Sequence, residues 1–154
     1  LASKGKIDFN ILNKLTSNIY FKKKFPKSLD KLYFLKELEC FFTENYLIED
    51  ILATLLEFTV STISSSLCLL PQKPNNIILL GGGQFNPQLV KKLRQHISSN
   101  IFLSSDFNLN GQYIEAELFA YLGARTNYNL PITFPSTTGV KKPISGGKIF
   151  MPSY

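Results

Sequence analysis

Asn76-Ile77-Ile78-Leu79-Leu80-Gly81-Gly82-Gly83-Gln84-Phe85-Asn86-Pro87 is the stretch on which the fold turns. Ile77 to Leu80 is an unbroken apolar run, as expected of a short strand buried on both faces. Three glycines end it at once. Asn86 then offers a side-chain acceptor to the first free amides of a helix, and Pro87 suits the first helical position. Strand, glycine bend and helix start, in that order, open a βα unit. A second apolar run, Ile101-Phe102-Leu103, follows the helix and reads as a second buried strand. Two parallel strands joined by a helix need a right-handed crossover and helices over both faces. Two strands do not make a stable sheet alone, so further strands are expected from outside this sequence.

The flanking segments extend an α/β pattern. After Pro87, Leu89, Val90, Leu93 and Ile97 face inward, while Lys91, Lys92, Arg94 and Gln95 face water. A polar loop from Ser104 to Gly111 leads to a helix from about Gln112 to Thr126. Along one face of that helix lie Ala116, Ala120 and Gly123 or Ala124, small enough for a close neighbour. The tail from Pro131 to Tyr154 holds four prolines and three glycines without a period, and reads as an ordered wrap. Upstream, residues 43–69 predict one long helix, with Thr43 as N-cap and Pro71 and Pro74 beyond its end. Ile48, Ile51, Leu52, Leu55, Leu56, Thr59, Ile63 and Leu67 step by three or four along it. Thr54, Ser61 and Ser65 add a small polar stripe that lets another element come close. Residues 1–40 predict two short helices. Ile7, Ile11, Leu12 and Leu15 mark the first. Ser28 caps the second, which carries Leu29, Leu32, Tyr33, Leu35 and Leu38.

Composition narrows the function classes. The chain has 154 residues, 44% of them hydrophobic, which suits one domain with a real core. The best candidate for a membrane span, Phe58 to Leu70, falls short of the roughly 20 apolar residues required. The formal net charge is +6, but Arg94 and Arg125 are the only arginines. Base-specific readers lean on arginine forks, so Lys22-Lys23-Lys24 reads as a solvated surface and no nucleic acid is expected as partner. Cys40 and Cys68 sit in apolar helical patterns and are expected as buried free thiols, with the cytoplasm as the compartment. The first residue is Leu1, and the plain expectation is that polypeptide upstream of it is missing.

Few residues are placed for chemistry. Glycine lets backbone approach a flat or charged ligand, so Gly81, Gly82 and Gly83 form the sharpest candidate. The helix N-terminus behind them favours anions, and ligands of open α/β sheets sit beyond the carboxyl ends of strands. The spacing is that of neither a P-loop nor a Rossmann fingerprint, and a purely structural turn is the plain alternative. Glu115 falls in the first turn of its helix, where the dipole favours a carboxylate. His96, the only histidine, lies on the wet side of its helix, which leaves a metal site or a Ser/His triad without support. Asp106 in the polar loop can touch a ligand or cap a turn, and the cap is the preferred reading.

Taken together and in order, these segments resemble the anhydro-N-acetylmuramic acid kinases. Ile77 to Pro87 is similar to that family's glycine segment. Glu115-Ala116 with Phe119-Ala120, Leu122 and Arg125 resembles its next helix, and Pro135-Ser136-Thr137-Thr138-Gly139 its closing segment. Gly5-Lys6-Ile7-Asp8, Tyr20-Phe21, Pro26-Lys27-Ser28-Leu29-Asp30 and Ala53-Thr54-Leu55 fit upstream. The resemblance implies an RNase H-like lobe of the actin/Hsp70/hexokinase superfamily, with ATP and Mg2+ in a cleft between two lobes. It implies opening of a 1,6-anhydro sugar ring and phosphorylation of O6, giving N-acetylmuramic acid 6-phosphate for cell-wall recycling. Gly81, Gly82 and Gly83 would then lie against the adenosine, Asn86 would brace their loop, and Glu115 would reach the sugar. The Ala116 to Ala124 face would pack near the hinge.

Departures from the family pattern sit at Gln84-Phe85, where a small residue and a histidine are usual, and at Gly123, where alanine is usual. The family's phosphate loop and its Asp-x-Gly-Pro-Gly-Asn segment, source of the catalytic aspartate, have no counterpart here. Residues 1–154 are therefore expected to be a C-terminal lobe, inactive alone. The expected partners are a small sugar and an N-terminal lobe or split-gene polypeptide, and a homodimer is compatible with the reading. The alternative is a non-catalytic remnant or interaction module that keeps the fold.

Overall fold

The computed structural model describes residues 1–30, 32–39, 41 and 46–151. Helix α1, Phe9–Thr16, starts where Asp8 accepts hydrogen bonds from the Asn10 and Ile11 amides. Helix α2 is short, Leu35–Leu38, and has no side-chain cap. The longer helix expected from Ser28 does not form. The Asp30 carboxylate instead accepts the Leu32 N–H, a local bond that competes with helix.

Helix α3, Ile48–Leu67, carries both halves of the core. Its first half closes over Ile11, Leu15 and Phe41, with Phe34, Ile51, Leu55 and Phe58 packed around them. Its second half brings Val60 to Leu93, Ile97 and Ile101. The buried stripe is Ala53, Thr54, Leu56, Glu57 and Val60. Ile48, Thr59 and Ile63, expected inward, are exposed. The stripe is set by two different neighbours, α1 on one flank and the helix after the glycines on the other. Thr54 is fully buried: its hydroxyl donates to the Asp50 carbonyl at 2.8 Å and accepts the Asp8 N–H at 2.9 Å. The small polar stripe thus does admit a close neighbour at Thr54. The proposed N-cap Thr43 and the thiol of Cys40 lie outside the described residues. Cys68, expected buried, is an exposed free thiol at the C-cap of α3, one residue beyond Leu67, which still packs on the core.

Strands β1, Asn76–Leu79, and β2, Asn100–Leu103, pair in parallel, with Ile77 opposite Ile101 and Leu79 opposite Leu103. Helix α4, Pro87–His96, makes the crossover. Side chains alternate across a strand. Ile77, Leu79 and Ile101 face the core with Leu93 and Ile97, whereas Ile78 stays 40% exposed. The expectation of strands buried on both faces is therefore corrected. Helices α3 and α4 cover the same face. The only further long helix among the described residues, α5 at Ile114–Asn127, has no buried residue and covers neither.

After α5 the chain from Pro131 to Ile144 folds back on itself. Arg125 anchors it by donating from Nε to the Pro131 carbonyl at 2.5 Å and from Nη1 to the Tyr121 hydroxyl at 2.8 Å. Ile132 N–H donates to the Ile144 carbonyl at 2.9 Å, and a single turn, α6 at Pro135–Thr138, lies between these partners. No described helix is long and apolar enough to cross a membrane.

Candidate functional site

Both strands end on the same side, and each runs into a 3-10 turn: Gly82–Phe85 after β1 and Ser104–Phe107 after β2. Gly81 begins the first turn at φ 73° and ψ −173°, a conformation that side-chain-bearing residues rarely adopt. Its amide donates to the Gly111 carbonyl at 2.9 Å, so the loop after β2 closes against the end of β1. Gly82 and Gly83 have ordinary backbone angles and are exposed; a Cβ added at Gly81 or Gly82 would meet nothing within 4 Å. Asn86 caps α4 as its sequence position implied, accepting the Gln88 and Leu89 amides at 3.1 and 3.2 Å. Asp106 likewise caps its turn, accepting the Leu103 N–H at 2.9 Å.

Between the turns lies a residue whose structural role the sequence did not flag. Gln84 is 6% exposed. Its Nε2 donates to the Gly81 carbonyl at 3.1 Å, and its Oε1 accepts both the Ser104 N–H at 3.2 Å and the Ser104 hydroxyl at 2.7 Å. One amide group satisfies both turns. The signal available beforehand was a long amide directly after the glycines where a small residue is usual.

Two open grooves flank this point. One, of about 370 Å³, runs between Phe85 and the loop of Ser105, Asn108 and Asn110. Among the described residues no ionisable side chain lines it. The other, of about 470 Å³, runs along α4 and includes Lys91 and Arg94. Gln84, Phe85 and Leu103 line both, and the three glycines line neither. The smaller groove suits a flat, neutral group with hydrogen-bonding edges, and the larger one an anion. Glu115 is exposed in the first turn of α5. Ala116, Ala120, Gly123 and Ala124 are exposed as well, so the small-residue face has no neighbour packed on it among the described residues.

Away from the grooves, the α3–α4 contact holds a buried carboxylate. Glu57 pairs with Lys92, and His96 approaches its other oxygen at 3.2 Å while Nδ1 lies 2.9 Å from the Lys92 carbonyl. Lys92, expected in water, is drawn inward by that pairing. No group of three or more His, Cys, Asp or Glu is placed to hold a metal ion among the described residues.

These features define a mixed α/β lobe with ligand-sized openings beyond the carboxyl ends of its two parallel strands. Residues 1–152 match the family model described as anhydro-N-acetylmuramic acid kinase, and the chain belongs to that family. Among curated relatives of that description, the protein of Zymomonas mobilis is 40% identical over 149 residues, 97% of this chain and 40% of the relative. That of Phenylobacterium zucineum is 37% identical over 151 residues, 98% of this chain and 40% of the relative. That of Caulobacter vibrioides is 36% identical over 149 residues, 97% of this chain and 39% of the relative. The chain thus spans about 40% of the length of these relatives.

Proposed function

We propose that residues 1–154 act as the C-terminal, RNase H-like lobe of an ATP-dependent kinase. The kinase opens 1,6-anhydro-N-acetylmuramic acid and phosphorylates O6, giving N-acetylmuramic acid 6-phosphate in the cytoplasm. The lobe is inactive alone. The observation that carries this reading is the exposed glycine turn beyond the parallel strands, beside a groove without charge, in a chain of this family.

In this reading Gly81, Gly82 and Gly83 lie against the adenosine. The open space over Gly81 and Gly82 fits a flat ring, and Asn86 keeps the turn and α4 in register. Glu115 reaches toward the sugar from the first turn of α5. When bound, ATP with Mg2+ supplies the phosphoryl group for O6, while water adds to the anomeric carbon as the anhydro bridge opens. This chain's own residues bind and orient. The phosphate loop and the catalytic base come from the N-terminal lobe.

The sheet supports the need for such a lobe. On β2 the edge turned away from β1 is already occupied, the Ile101 carbonyl by Arg94 at 3.3 Å and the Leu103 amide by Asp106. The outer edge of β1 has no strand beside it among the described residues. An unpaired edge and a half-exposed apolar face are surfaces that proteins normally cover. The exposed face of α5 is likewise available to the other lobe or to a second copy.

The test mixes the purified chain with the remaining N-terminal part of the Zymomonas mobilis relative and follows ATP consumption with the anhydro sugar. Turnover in the mixture, and in neither part alone, is expected. Turnover by this chain alone would refute the lobe reading. Association without turnover would instead favour the non-catalytic interaction module.

A further inference from the structure

We propose that Gln84 is a positioning residue that makes the two turns beyond the strands behave as one rigid unit, and so fixes the shape of the groove between them. The proposal rests on the nucleotide reading only for its consequence, not for its geometry.

Each turn is closed by its own local bonds, the first by the Gln84 N–H on the Gly81 carbonyl and the second by the Asp106 cap, but none of those bonds reaches the other turn. The Gly82–Phe85 and Ser104–Phe107 turns are each a single four-residue 3-10 turn. A single buried amide joins them. Every strong hydrogen-bonding direction it uses is matched: Nε2 to the Gly81 carbonyl, Oε1 to the backbone and hydroxyl of Ser104. With the side chain only 6% exposed, water competes poorly for these bonds, and they are costly to leave unmade.

The third side of the unit is Gly111. A Cβ there would stand 2.1 Å from Gln84 Nε2 and 2.4 Å from Ser104 Oγ. The Gly111 backbone therefore lies directly against the amide and hydroxyl, and its carbonyl takes the Gly81 N–H. Gly81, Gln84, Ser104 and Gly111 form a closed ring of contacts, and three of them, Gln84, Ser104 and Gly111, line the smaller groove. Gln84 and Phe85 are consecutive, so the same ring holds the backbone from which Phe85, one of the residues that line both grooves, projects. At this position the resemblance leads one to expect a small residue, whose side chain is too short to reach both the Gly81 carbonyl and Ser104.

Amide hydrogen exchange on the 154-residue chain tests this directly. In Gln84→Met the Ser104 amide loses its own acceptor and must exchange faster whatever the role of Gln84. The Gly81 amide bonds to Gly111, not to Gln84, so its protection reports coupling between the turns. We expect Gly81 exchange to accelerate about tenfold or more in Gln84→Met, while α3 and α4 amides keep their protection. Gln84→Glu separates the two halves: a carboxylate still accepts from Ser104 but cannot donate to Gly81, so Ser104 stays protected and Gly81 does not. Unchanged Gly81 exchange in both variants overturns the proposal. If Gln84→Met does not fold, Gln84→Glu alone decides by the same measure.

A second arm titrates ADP. Where the wild-type chain binds, both variants are expected to bind at least fivefold more weakly, and unchanged affinity in both sinks the positioning role. Where the wild-type chain does not bind, the nucleotide reading fails, and the exchange result still decides whether the turns are coupled.

Discussion

Alanine placed at Gly81 and at Gly82 should give opposite answers, although the sequence presents the two residues as equivalent. At Gly81 the backbone sits at φ 73° and ψ −173°, and a Cβ would meet nothing within 4 Å. The cost of Gly81→Ala is therefore purely conformational, with no clash to relax. Holding a side-chain-bearing residue in that region costs about 1–3 kcal/mol. That lowers the folded-to-unfolded ratio roughly 5- to 150-fold. With an m-value of about 2 kcal/mol/M the urea midpoint should fall by about 0.5–1.5 M. At Gly82 the backbone is ordinary and the space is equally open, so Gly82→Ala should move stability by about 0.5 kcal/mol or less, with a tendency to stabilise by restricting the unfolded chain. Urea titrations followed by far-UV circular dichroism measure both. Equal midpoints for the two variants would refute the reasoning. The ligand readout should reverse the order of interest: Gly82→Ala keeps its fold and loses nucleotide affinity, because its methyl enters the space assigned to the adenosine.

The remaining predictions concern the frame that holds the turns. Leu93→Ala removes a side chain that is 1% exposed in the core under the sheet and should cost about 2–5 kcal/mol in urea unfolding. Thr54→Val deprives the Asp8 amide of its acceptor inside the α1–α3 contact; a loss of about 1–3 kcal/mol is expected, and Thr54→Ser should restore most of it. Lys92→Met leaves the Glu57 carboxylate, whose side chain is 10% exposed, with only His96 beside it and should cost about 1–3 kcal/mol. The double variant Glu57→Gln with Lys92→Met should recover most of that loss, and additive losses in this cycle would argue that the pair contributes nothing.

Much of the architecture was legible because it is local. The β1–glycine–α4–β2 order follows from an apolar run, a breaker, Asn86 with Pro87 and a second apolar run, each read within a few residues. The Asn86 and Asp106 caps are contacts between near neighbours in the chain, and both were readable for that reason. The helix expected from Ser28 failed on local grounds too, since Asp30 offered its backbone a competing bond. Inward positions on α3 were read less well. Its periodicity gave the helix, but which stripe faces inward depends on where α1 and α4 dock.

What the sequence determined by itself was the long helices and the β1–glycine–α4–β2 order, together with the family to which the chain belongs. What tertiary structure alone decided was how the site is held. Gln84 and Ser104 are 20 residues apart in sequence and meet only because two parallel strands end side by side. Only one of three identical glycines carries the strained angle, because only Gly81 must turn its amide toward Gly111. The sheet's exposed face is also a tertiary outcome: an apolar strand demands burial, but which of its faces is covered depends on where the helices have room to pack.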